Sequence, residues 1–341
     1  MQKIATIGLD LAKNVFQVHA ATADGSTVFN RKLRRSEVLA FFAKVPSCLV
    51  GMEACSSAHY WARETRALGH DVRLMPPAYV KAFVKRGKTD AGDAEAISEA
   101  VTRKTMRFVP AKSAEQQAAV LVKSRTLLVR QRTQAINALR SHLAEFGIIA
   151  GAGVTKVAEL IAVVRDGSEQ RLPLVARQAL QEIARQVESL AVQIKRLDRQ
   201  IVVLSRQDAD TRRLTTIPGV GAIIAASVKA FVPDPAGFRS GRHFAAWLGL
   251  TPRPHSSGGK ERLGRISKMG NPLLRSLLVV GATSVLRVAR NNPQASPWIA
   301  GLLARRPSRV ATVALANKMA RIIWALLVRG SVYRAPSIAQ A

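Results

Sequence analysis

The chain has 341 residues, 48% of them hydrophobic, which is enough for two or three compact domains and too apolar for a disordered basic tail. Lys and Arg number 52 against 22 Asp and Glu, a formal net charge of +30. Such a surface repels itself unless a polyanion neutralises it, and nucleic acid is the usual partner because phosphate neutralisation releases condensed counterions. Charge alone does not separate an enzyme from an architectural binder. The two cysteines, Cys48 and Cys55, lack a zinc-ligand spacing and argue against a disulfide scaffold. The opening MQKIATIGLD has no leader-like apolar core, and the longest apolar run, 277–286, is closed by Arg275 and Arg287. A cytoplasmic, nucleoid-associated protein with no membrane partner is expected.

Residues 4–10 (IATIGLD) form a β-prone run ending in an acid, 14–21 alternate, and a turn at Ala23-Asp24-Gly25 precedes Ser26 to Arg31. This pattern predicts a three-strand antiparallel meander. Ser36 is suited to cap a helix carrying Val38, Leu39, Phe41 and Phe42 inward. The run CLVGM at 48–52 predicts a buried strand leading into Glu53, followed by a helix over 57–68 that Gly69 ends. Val72 to Met75 predicts another strand, closed by Pro76-Pro77. After a basic stretch at 81–88, a helix opens near Thr89 and carries Asp90 and Asp93. The order β-β-β-α-β-α-β-α is that of an RNase H-like, RuvC-like fold, and residues 1–110 are assigned to it.

Residues 111–207 read as helical. Leu121, Leu127, Leu128, Ile136, Leu139 and Leu143 recur at helical spacing among arginines, and glycines at 147, 151 and 153 break the pattern. Leu180, Ile183, Val187, Leu190, Ile194, Leu197, Ile201 and Leu204 then form a near-heptad seam. A long antiparallel hairpin or an intermolecular coiled coil fits both halves, and an ordinary bundle fits too. A mainly α-helical region, 208–335, contains Ile217-Pro218-Gly219-Val220-Gly221 before a small-residue helix. This is helix-hairpin-helix-like. Gly219 and Gly221 there either let backbone N–H groups approach a phosphate or serve a packing corner. Residues 256–268 (SSGGKERLGRISK) read as a basic, glycine-rich loop, and helices resume near Pro272 and Val310 before a loose tail.

Four acids stand at telling places. Asp10 and Glu53 end strands, and Asp90 and Asp93, three apart, face one way on a helix. In the expected sheet these carboxylates converge. They repel one another unless divalent cations, Mg²⁺ or Mn²⁺, take them as oxygen ligands. Paired ions of that kind assist phosphodiester cleavage. Taken singly, each acid could equally be a helix cap or a solvated ion-pair member.

Gly8-Leu9-Asp10-Leu11-Ala12-Lys13, Met52-Glu53-Ala54-Cys55 through Tyr60-Trp61, and Lys88-Thr89-Asp90-Ala91-Gly92-Asp93-Ala94 resemble the acidic motifs of the DEDD insertion-sequence transposases, the IS-one-ten and IS-eleven-eleven family. The resemblance continues through Ile217 to Gly221, Phe238 to Pro252, and Ser257-Gly258 through Ile266-Ser267-Lys268-Met269-Gly270-Asn271. Ser56 departs from the glycine expected there. The resemblance implies that Asp10, Glu53, Asp90 and Asp93 bind metal and that Ser257 is a nucleophile forming a phosphoserine link to DNA. Lys260, Arg262, Arg265 and Lys268 flank that serine and would balance phosphate charge. The resemblance also implies a structured noncoding guide RNA that pairs with donor and target DNA, while the helical middle is expected to join copies of the chain into a homo-oligomer, a dimer or a tetramer. A hydrolytic RuvC-like nuclease or junction resolvase would need only the acids, and a non-catalytic nucleic-acid binder would need none of them.

Overall fold

The computed structural model describes residues 3–85, 87, 89–113, 119–232, 234–255, 258–260, 262–292 and 296–334. The chain separates into two compact units, one up to residue 113 and one from 114 onward.

The first unit is built on a five-stranded sheet. Strands β1 (Thr6–Asp10), β2 (Val15–Ala21) and β3 (Thr27–Arg34) form the antiparallel meander. A 3-10 turn, Arg35–Glu37, leads into helix α1 (Val38–Lys44), and β4 (Leu49–Glu53), α2 (Ala58–Ala67) and β5 (Asp71–Met75) follow. The sheet order is β3-β2-β1-β4-β5, with β4 parallel to both β1 and β5. A short α3 (Pro77–Val80) then precedes α4 (Asp90–Ala100). The order of strands and main helices is the one read from the sequence, with α3 added. Ser36 does not cap α1. It lies inside the 3-10 turn, where the Glu37 carboxylate accepts from the Arg34 N–H at 2.7 Å.

Strand alternation sorts the side chains to two faces. Ile7, Leu9, Phe16, Val18, Val50, Met52, Val72 and Leu74 pack with Phe41 and Phe42 of α1 and Ala58 and Trp61 of α2. The opposite face of the two central strands carries Gly8, Asp10, Gly51 and Glu53, and α4 lies on it. A Cβ on Gly8 would stand 2.0 Å from the Ala94 carbonyl oxygen, and one on Gly51 would stand 2.9 Å from the Val101 Cβ. Glycine at both positions lets the helix backbone rest almost on the sheet. Met75, Val80, Ala96, Ile97, Ala100 and Val101 complete that side's core.

The second unit is helical. Helices α5 (Ala119–Ala144) and α7 (Leu174–Gln207) run along one another with α6 (Val157–Arg165) beside them. Leu139 and Leu143 share a core with Leu160, Val164, Leu180 and Val187. The Arg125 guanidinium pairs with Asp198 further along. The seam of α7 is thus spent largely within one chain, with Leu180, Val187, Leu190, Ile194 and Ile201 buried and Leu204 exposed. Arg177, itself buried, donates to the Glu169 and Leu172 carbonyls at 2.5 and 3.2 Å and ties the α6–α7 connection down.

Helices α8 (Ala209–Leu214), α9 (Ala222–Phe231) and α10 (Gly241–Trp247) follow, then strands β6 (Pro252–Pro254) and β7 (Leu263–Ile266). Helices α11 (Pro272–Asn291), α12 (Pro297–Arg305) and α13 (Ser308–Arg329) complete the unit. Ala119, Val122 and Ile201 of the long hairpin lie in the same core as Leu214, Val228, Leu278 and Ala316. Where the sequence reading placed a boundary at 208, apolar packing runs straight across.

One composition-based expectation needs correction. Helices α11 and α13 are each long and apolar enough to cross a membrane by length and composition, although no run of that length was expected. Their small and branched residues, including Leu274, Leu278, Ala282, Ala316 and Ile323, are buried against each other and against neighbouring helices. A core helix meets the same criteria.

Gly8→Ala is expected to cost about 3 kcal/mol, because the carbonyl it meets cannot move without shifting α4. Gly167→Ala, whose Cβ would meet nothing within 4 Å, should change stability by under about 0.5 kcal/mol. Urea denaturation followed by circular dichroism reads both.

Candidate active site

Asp10 is the last residue of β1 and Glu53 the last of its parallel neighbour β4, with Leu9 and Met52 in register just before them. Each acid lies two residues beyond the glycine that α4 covers, so both belong to the helix side of the sheet. Asp90 falls one helical turn before Ala94, the residue pressed on Gly8. Asp93 falls one turn before Ile97, which packs over Gly51. All four carboxylates are therefore assigned to one side of one sheet. Asp10, Glu53 and Asp93 are half-buried and Asp90 is exposed.

The fold does not gather them as tightly as the sequence reading expected. Among the described residues no group of three or more Asp, Glu, His or Cys side chains is close enough to hold one ion. Like charges favour separation, and the first turn of α4 stands at its exposed end. Their chemistry still suits a hard divalent cation, since all four offer carboxylate oxygens from one face.

Helix capping does not explain Asp90. The N-cap is Thr89, whose Oγ1 accepts from the Gly92 N–H at 3.1 Å. Glu95, by contrast, is accounted for by an ion pair with Lys85 at 2.7 Å. The hydrogen bond from Lys85 holds the Glu95 carboxyl below its ordinary range, and Glu95 in turn raises Lys85. On β2, burial lowers the pKa of His19, partly opposed by Glu95.

Two polar side chains that the motif reading passed over also lie on this face. Gln17 is the cross-strand partner of Asp10, and Asn30 lies diagonally across on β3. The Asn30 amide donates to the Ala91 carbonyl at 3.2 Å, and the Gln17 amide donates to Asn30 Oδ1. Alternation along β2 could have flagged Gln17 as facing Asp10, but only the register shows the pairing.

In the second unit, β6 and β7 form an antiparallel hairpin where a loop was expected. Ser257 and its neighbour Ser256 lie outside the described residues. The exposed Lys260, Arg262, Arg265 and Lys268 follow in and after the hairpin. Its base is tightly held. Arg253 donates to the Ser267 carbonyl at 3.2 and 2.9 Å, and Ser267 N donates to the Thr251 carbonyl at 2.8 Å. Arg275 donates to the Leu248 and Met269 carbonyls at 3.0 and 2.7 Å. A Cβ on Gly270 would stand 1.9 Å from the Trp247 carbonyl oxygen. Lys268, at φ 56°, is the one non-glycine residue with positive φ among those described. Sequence reading had noted Arg275 only as the end of an apolar run.

The two glycines of the helix-hairpin-helix-like turn differ. Gly219 has φ +81° and faces α11, where a Cβ would stand 2.7 Å from the Gly281 carbonyl oxygen. Packing therefore accounts for glycine at 219. Gly221 precedes α9 with open space where a Cβ would be, and stays exposed.

Comparison with known proteins agrees with the motif order. A DEDD transposase profile of the IS110 group matches residues 7–148, and one described as the transposase IS116/IS110/IS902 family matches 211–297. A probable family 20 transposase of Pseudomonas aeruginosa is 50% identical over 97% of this chain and 99% of its own length. The transposase for insertion sequence element IS1328 of Yersinia enterocolitica is 38% identical, covering 98% of this chain and 99% of its own. The transposase for IS1111A of Coxiella burnetii is also 38% identical, over 98% and 92%. With both profiles matched and relatives aligned along nearly its whole length, this chain belongs to the IS110/IS116/IS902 family of DEDD insertion-sequence transposases, enzymes that cleave and rejoin DNA.

Proposed function

We propose that this transposase cuts and rejoins DNA with divalent cations bound by Asp10, Glu53, Asp90 and Asp93 in an RNase H-like unit, and with Ser257 as nucleophile. The observation that carries the reading is the common placement of the four acids on the α4 side of β1 and β4. A bound Mg²⁺ or Mn²⁺ would supply Lewis acidity toward a phosphoryl oxygen and offset the charge that develops there. The acids would hold the cation at one end of the sheet, and Gly8 and Gly51 set the height of α4 above it.

In the serine step the Ser257 Oγ attacks a DNA phosphorus, and the bond from phosphorus to a deoxyribose oxygen breaks. The proton lost by the serine ends on that departing oxygen. The phosphodiester is exchanged rather than hydrolysed, so a hydroxyl of another strand can reverse the step without an added energy source. Lys260, Arg262, Arg265 and Lys268 would balance phosphate charge beside it. The hydrogen bonds of Arg253 and Arg275 at the hairpin base support a role for this segment in holding DNA, because fixed contacts lose less entropy on binding. A hydrolytic nuclease using the acids alone is the rival reading.

Donor and target DNA are the proposed substrates, with a structured noncoding RNA as guide. The +30 charge and the 5% aromatic content favour binding of duplex backbones over stacking on bases. Gly221, exposed ahead of α9, would serve such a backbone contact, while Gly219 contributes by shaping the turn. Exchanging strands between two duplexes needs several cuts at one place, which supports a homo-oligomer acting at the nucleoid in the cytoplasm. The packing of α5 on α7 leaves the coiled-coil seam mostly occupied, so subunit contacts would use other surfaces.

Combining Asp90→Asn with Asp93→Asn should lower DNA cleavage at least about a hundredfold while nucleic-acid binding persists in a gel-shift assay. Loss of folding instead would make these acids structural. Ser257→Ala should abolish the covalent protein–DNA adduct that denaturing gels detect. Normal products from that variant would favour the nuclease. Affinity for duplex DNA should fall by roughly a thousandfold or more between 50 and 200 mM salt, and a flat response would remove the charge argument.

A further inference from the structure

Polar groups with no assigned role lie on β2, beneath the first turn of α4. Gln17 is 6% exposed and paired in register with Asp10, so its side chain rises from the same face. The orientation of its amide follows from its neighbours. The Ala91 carbonyl can only accept, so Asn30 presents its Nδ2 there, and the Asn30 Oδ1 is then the acceptor for the Gln17 Nε2. This chain of bonds commits Nε2 to Asn30 and leaves the Gln17 Oε1, which is buried, without a hydrogen-bond donor. Two residues along β2, the Nδ1 of His19 is also buried without a partner, beside Gly8. Buried polar atoms are nearly always satisfied, and an exception calls for a missing partner.

We propose that Gln17 is an uncharged positioning residue of the cation site, its Oε1 accepting from the hydrated cation that Asp10 holds. The inference rests on the reading of Asp10 as a metal ligand. Mg²⁺ gives up its waters reluctantly, so the shell around it needs acceptors as well as ligands. An amide oxygen serves without adding a fifth negative charge to a face that already carries four carboxylates. The same strut of Gln17, Asn30 and the Ala91 carbonyl fixes the turn bearing Asp90 and Asp93 relative to β1, so one network would orient both the acids and the hydration shell. Outer partners of metal ligands govern affinity in this way.

The test is Mn²⁺ binding to the full-length protein without DNA, read by electron paramagnetic resonance, with circular dichroism to report folding. Gln17→Met, which keeps the length and removes both amide atoms, should weaken Mn²⁺ binding about tenfold or more. Gln17→Glu should tighten it by supplying an anionic acceptor, and it keeps the inference testable if the Met variant fails to fold. Wild-type Mn²⁺ affinity in a folded Gln17 variant overturns the proposal. Asp10→Asn separates the two levels. If it weakens binding and the Gln17 variants do not, only the role of Gln17 is wrong. If neither change affects Mn²⁺, the metal reading of this face fails with it.

Discussion

The Cβ that Gly8 lacks would lie 2.0 Å from the Ala94 carbonyl, and the one that Gly51 lacks would press on Val101 and Ile97. This contact between helix and sheet organises the first unit. Any side chain at either position would lift α4 away from β1 and β4, and the two acids of its first turn would rise with it. The acids at the strand ends lie two residues beyond these glycines, so a single close approach relates all four carboxylates. How closely α4 approaches the sheet is decided here by the absence of two Cβ atoms.

A second constraint acts on the hairpin of the other unit. Main-chain atoms cross closely at Gly249 and Gly270, where added Cβ atoms would come within 2.4 Å of the Met269 N and 1.9 Å of the Trp247 carbonyl oxygen. Arg275 holds the same crossing through two carbonyls. Lys260, Arg262, Arg265 and Lys268 lie exposed in and after the hairpin that this base holds. Both units follow one plan, in which glycines remove bulk at a backbone crossing and polar groups fasten it.

Electrostatics also bears on how closely these acids approach one another. Carboxylates brought to one side of a sheet repel one another, and among the described residues no three of them lie within reach of one ion. Glu95, on the same helix, is neutralised by Lys85 and so drops out of the competition for a cation.

The sequence alone determined a good deal. Period-two alternation and turn residues gave the order of strands and helices in the first unit, because burial on one sheet face writes itself directly into the pattern. The motifs around Asp10, Glu53, Asp90 and Asp93 identified the family, because chemistry demands particular residue types at fixed local spacings. Only the tertiary structure decided that Thr89 rather than Asp90 caps α4, that Gly219 serves packing on α11, and that 252–266 contains a hairpin. It also showed that the α7 seam is filled from within and that Gln17 faces Asp10. Each of these depends on partners distant along the chain, and local spacing carries no record of which distant segment will arrive.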